Sequence, residues 1–84
     1  MTERRLSFTR HAETMLAERA IERDWIERTI REPDELGPDP SRANVVQAYK
    51  SIPERGGRML RVVYSTSGGQ IRVITAFFDR AKRR

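Results

Sequence analysis

Apolar residues keep a helical spacing through the first third of this chain and switch to alternation in its second half. Thr9 is placed to cap a helix whose apolar stripe is Ala12, Met15, Leu16 and Ala20. A second helix follows at once. Ile21 and Ile26 bracket its start as a hydrophobic staple around Glu22, a poor cap. Its buried face is Trp25, Ile26, Thr29 and Ile30, and Pro33 ends it by forcing Glu32 out of the helical region. The segment 34–42, with Gly37, Pro38 and Pro40, reads as a loop or short edge segment.

From Asn44 the period is two. Strands are predicted over 44–50, 58–65 and 70–78, the last two joined at Thr66-Ser67-Gly68-Gly69 as a hairpin. An even-length loop sets Tyr64 opposite Ile71 and Val62 opposite Val73. One face then holds Leu60, Val62, Tyr64, Ile71, Val73, Thr75 and Phe77, and is expected to receive the helices. The other holds Met59, Arg61, Val63, Arg72, Ile74, Ala76 and Phe78, and is expected to stay open. The resulting fold class is α+β, with two N-terminal helices on one face of a three- or four-stranded antiparallel sheet. The 84 residues make a single domain, with residues 1–7 expected as a flexible end or an edge extension and residues 80–84 as a flexible end.

Charge changes the picture more than composition does. Residues 1–41 hold 7 Arg/Lys against 10 Asp/Glu, while residues 42–84 hold 10 against 2. No carboxylate lies between Glu54 and Asp79, where the strand pattern is clearest. A sheet of one charge sign calls for an anionic visitor: a phosphate backbone, an acidic protein segment or the acidic half of the same molecule. Cysteine is absent, which excludes a disulfide framework, a thiolate metal site and a thiol nucleophile. The single histidine argues against a zinc site. Neither a leader-like apolar segment nor a membrane-length run is present, so a cytoplasmic protein without cofactor is expected.

Phe8-Thr9-Arg10-His11-Ala12, then Arg19, Ile21, Ile26, Ile30 and Pro33-Asp34, resembles the opening F-T-x-H-A-x-x-R-M-x-x-R-x-I of a bacterial domain family of unknown function. The segments 60–64 and 73–77 resemble that family's closing hairpin. One departure stands out: Met15 occupies the place of the family's first Arg, and Leu16 that of its Met. The family is similar to RelE-like toxins, which also include ribonucleases of the BrnT type. That resemblance implies helices on one side of an antiparallel sheet, metal-free RNA cleavage, and an antitoxin-like acidic partner.

Metal-free RNA cleavage needs a proton acceptor for the 2′-OH and cations for charge gathering on phosphorus. Imidazole titrates near working pH, and guanidinium forks match pairs of phosphate oxygens. His11, Arg61 and Lys50 are therefore the candidate catalytic residues. Arg58, Arg72, Arg80, Lys82 and Arg83 are the candidate RNA-binding residues, with RNA or the ribosome as partner. Two non-catalytic readings stand beside this one: a nucleic-acid-binding module, and a protein-interaction domain that uses the same basic face. Trp25 falls on the buried helical stripe and reads as core.

Overall fold

The computed structural model describes residues 6–82. Thr9 caps α1 (Arg10–Arg19), its side-chain oxygen accepting from the Ala12 backbone N–H at 3.0 Å. Ala12 and Leu16 are the buried stripe, and Met15 stays partly exposed. The helix stops at Ala20, which takes a left-handed conformation (φ 54°) and returns its N–H to the Leu16 carbonyl. After two linking residues, α2 (Arg23–Arg31) starts at Glu22 without a side-chain cap. It buries Trp25, Ile26 and Thr29. Thr29 is fully enclosed, and its hydroxyl donates to the Trp25 carbonyl at 2.8 Å, so no polar group is stranded there.

The sheet has five strands rather than three or four, and it is mixed rather than antiparallel. In chain order they are β1 (Leu6–Phe8), β2 (Glu35–Pro38), β3 (Val45–Ile52), β4 (Arg58–Ser65) and β5 (Ile71–Phe78). Across the sheet they run β1-β5-β4-β3-β2. β1 pairs with β5 in parallel, and the other three pairings are antiparallel. Residues 6–8 are thus the edge extension rather than a loose end, while the expected flexibility of residues 1–5, 83 and 84 lies outside the described residues. Lys82 is likewise tied down, through its backbone to Asp79 and its side chain to Glu35.

The hairpin register departs from expectation in a consequential way. Tyr64 faces Val73, not Ile71, and Val63 faces Thr75, so Ile74 is an extra residue in β5, a β-bulge. The bulge inverts the alternation beyond it. Ala76 and Phe78 turn to the helices, while Thr75 and Phe77 turn away. Thr9 fastens α1 to this irregularity, its N–H bonding the Val73 carbonyl and its hydroxyl the Ile74 carbonyl, both at 3.0 Å.

The core lies between the helices and one sheet face. Ile26, Ile52, Leu60, Val62 and Val73 are fully enclosed, with Trp25 meeting the edge of Phe78 at 6.2 Å between ring centres. Truncating a residue such as Leu60 to Ala removes about 2–5 kcal/mol of stability, a large share of what so small a domain has. Neither helix is long and apolar enough to cross a membrane.

Candidate nucleic-acid interface

The face of the sheet opposite the helices is organised as rows of cross-strand neighbours. One row runs Phe77–Arg61–Tyr49–Glu35 across β5, β4, β3 and β2. The Arg61 guanidinium lies 5.2 Å from the centre of the Phe77 ring and 5.6 Å from that of Tyr49. It donates to Gln47 Oε1 at 2.6 Å and stands 3.6 Å from Asp79 Oδ2. Gln47 in turn accepts from the Tyr49 hydroxyl and donates to Asp39 Oδ1 at 2.8 Å. Asp39 also accepts from the Ser41 N–H and pairs with Arg42. The Gln47 bond, the Ser41 bond and Arg42 hold its carboxyl down to about 2. Lys82 joins from the C-terminal segment, over the Tyr49 ring and paired with Glu35, which raises its own pKa. Arg61 thus sits in a closed polar network; only its Nε lacks a partner.

The second row is Ser7–Arg72–Ser65, across β1, β5 and β4. Arg72 shares the face of Arg61, four positions further along β4, or roughly 13 Å at strand rise. It is exposed and has no ion pair or hydrogen bond among the described residues.

A third group of cations sits on the helix side, at the other end of β5. Arg55 and Arg58 each hold their guanidinium 4.9 Å from the centre of the Phe78 ring. Arg55 also donates to the Ala20 carbonyl at 3.4 Å. The carboxylate just before them in sequence, Glu54, is turned away: Arg28 of α2 grips both its oxygens at 3.0 Å and takes Asp24 as well. This fork pulls the Glu54 pKa below its ordinary range and raises that of Arg28. Arg80 is exposed and without a partner among the described residues, and it lines a cleft with Arg58.

The candidate catalytic residues do not converge. His11 is exposed at the start of α1, its Nε2 3.2 Å from the Thr75 hydroxyl. Lys50 pairs in register with Leu60, a core residue, and so stands on the helix side of the sheet, where its Nζ donates to the Glu32 carbonyl at 2.7 Å and approaches Asp34. Arg61 is on the opposite face. The sheet therefore separates Lys50 from Arg61, and Arg58 from Arg72. Arg83 lies outside the described residues. Met15 accepts a long contact from Arg19 Nε at 3.4 Å.

Sequence reasoning missed Arg55, which a Pro-Glu-Arg turn gives no reason to single out. It also missed Asp39, Gln47 and Asp79 as the groups that satisfy Arg61. Asp79 ends the hairpin's carboxylate gap, and its place one residue after β5 was the available signal.

Two helices covering one face of a five-stranded mixed sheet, with an opposite face of mixed polar and apolar residues, define a small α+β domain. Within that class the chain belongs to the DUF4258 family, a domain of unknown function whose model matches residues 8–78. No curated protein and no solved structure matches it.

Proposed function

We propose that this domain binds RNA through cations of its sheet half that carry no carboxylate partner. The observation that supports this is the distribution of unspent charge. Among the described residues, both carboxylates of the sheet half are occupied, Glu54 by Arg28 and Asp79 by Arg61. Arg55, Arg58, Arg72 and Arg80 have no ion pair among the described residues. The helical half differs, because exposed Arg10 and Arg31 there are mixed with unpaired Glu18, Glu22, Glu27 and Glu32.

Aromatic stacking orients Arg55 and Arg58 without cancelling their charge, which is what a phosphate-binding guanidinium needs. Arg58 is exposed, so its guanidinium plane also offers an unstacked base a surface. RNA is the polymer to which the likeness to RelE-like toxins points, and an acidic antitoxin-like partner would compete for the same cations.

Binding to a single-stranded oligoribonucleotide, followed by fluorescence anisotropy over a salt series, tests the proposal. Three phosphate contacts give a log–log slope of about −2. An affinity that stays flat from low to physiological salt would reject it. Cleavage is a separate reading, supported by exposed His11 beside Thr75. It predicts chelator-resistant degradation of total RNA that disappears in His11→Ala. Equal degradation by both proteins removes His11 from any mechanism.

A further inference from the structure

Arg72 lies between two serines, Ser7 directly across on β1 and Ser65 directly across on β4. In a sheet, residues paired across neighbouring strands share a face at about 5 Å spacing, so the two hydroxyls flank the arginine stem on either side. The turn after β4 adds Ser67 and Gln70, and these groups line a cleft of about 360 Å³.

Every side chain named here can donate a hydrogen bond, and no carboxylate among the described residues lines the cleft. Ser65 Oγ already accepts from the Ser67 N–H at 3.4 Å, which leaves its own hydrogen free to point elsewhere. Gly68 and Gly69 carry positive φ (72° and 74°), and no heavy atom lies within 4 Å of where a Cβ would stand on either. The turn therefore bends beside the cleft without crowding it.

We propose that this cleft is a binding site for a phosphomonoester, the terminal phosphate of a nucleotide or RNA chain. The donor count argues for the terminal group over a backbone diester. A guanidinium fork, three hydroxyls and an amide can serve three free phosphoryl oxygens, whereas a diester presents two. Arg72 supplies the charge and the fork; Ser7, Ser65, Ser67 and Gln70 supply the surrounding donors. The proposal deepens the RNA-binding reading by giving one end of the ligand an address, yet its test does not depend on RNA affinity.

The experiment is an amide chemical-shift titration of the whole protein with uridine 5′-monophosphate. Uridine serves as the phosphate-free control, and UpU with a free 5′-hydroxyl as the diester. The monophosphate is expected to move the signals of Ser7, Ser65, Ser67, Gln70 and Arg72, and uridine to leave them in place. Arg72→Gln, a change at an exposed position, weakens the monophosphate about tenfold, and Arg72→Lys, which keeps charge but loses the fork, falls between. Unmoved signals at these residues, or equal affinity in Arg72→Gln, would overturn the site. Equal binding of UpU would overturn its preference for a terminal phosphate. Monophosphate binding in a protein that fails to hold RNA would retain this site and remove the RNA-binding reading instead.

Discussion

Arg61 and Arg72 project from the same face of one hairpin, and the fold has treated them in opposite ways. Arg61 is half-buried, stacked on two rings and hydrogen-bonded to Gln47, with Asp79 at ion-pair distance. Arg72 is bare, with a serine on each side. The same residue type thus acts as mortar in one row and as an open charge in the next. The difference comes from what the flanking segments deliver. Around Arg61, residues 34–42 bring Asp39 and Glu35 while the C-terminal segment brings Asp79 and Lys82. Around Arg72, β1 and the glycine turn bring only hydroxyls and an amide.

The sharpest way to break this comparison is to remove each arginine in turn. Arg61→Ala leaves Asp79 and Gln47 short of a partner and strips a cover from Phe77 and Tyr49. It is expected to cost about 1–3 kcal/mol in urea unfolding. Arg72→Ala, an exposed change, stays within about 0.5 kcal/mol. Similar losses at both positions would mean that the two rows do not differ in structural role. The RNA-binding phenotype should be reversed: Arg72→Ala and the Arg55→Ala, Arg58→Ala pair flatten the salt slope, the pair by about 1.4 at roughly 0.7 per phosphate contact. A destabilised but folded Arg61→Ala protein retains the slope of the parent.

Acid provides a second, gentler probe. Asp39 anchors the Arg61 network through Gln47, and its carboxyl titrates at about 2 in the folded chain against an ordinary 3.8. A depressed folded pKa means that the unfolded state binds the proton first. The contribution is therefore complete above pH 3.8 and is lost as pH falls toward 2. Asp39→Asn should remove that part of the acid dependence of unfolding. The Arg72 cleft has no carboxylate among the described residues, so Arg72→Gln should leave the acid limb of the curve where it is. A shift of equal size in both variants would detach Asp39 from the network described here.

How far the sequence reaches can be read from these same residues. Thr9 as cap, Trp25 and Ile26 as core, and the hairpin strands were all legible, because each rests on local periodicity or capping chemistry. Arg61 and Arg72 were also correctly placed on one face. The bulge at Ile74 was not legible, since nothing in an Ile-Arg-Val-Ile-Thr run marks where an extra residue will go unpaired. It exchanged the faces of Phe77 and Phe78, and through Phe78 it decided where Arg55 and Arg58 could stack. β1 was legible only as one of two readings, an edge extension, and its partner was hidden for a different reason: three residues pairing in parallel with a strand more than sixty positions later leave no periodic trace. Charge was legible as a sum over halves and illegible as pairs. The excess of positive charge is real, but Glu35, Asp34 and Asp79 reach Lys82, Lys50 and Arg61 through tertiary geometry alone.

The smallest expected effect concerns the turn that separates the two treatments of arginine. Gly69 has φ 74° with open space around the place of its missing Cβ, so alanine there meets strain but no clash. The cost should be about 1 kcal/mol, the left-handed penalty of an L-residue. If the turn's shape positions Ser67 and Gln70 beside Arg72, Gly69→Ala should also weaken the monophosphate titration while leaving the Arg61 row untouched, as read from the amide shifts of Gln47 and Asp79. Weakening at the Arg72 cleft alone would show that the glycine turn belongs to that row as a structural part. Parallel changes in both rows would show that the face responds as one unit, and the contrast between its two arginines would then be one of partners only.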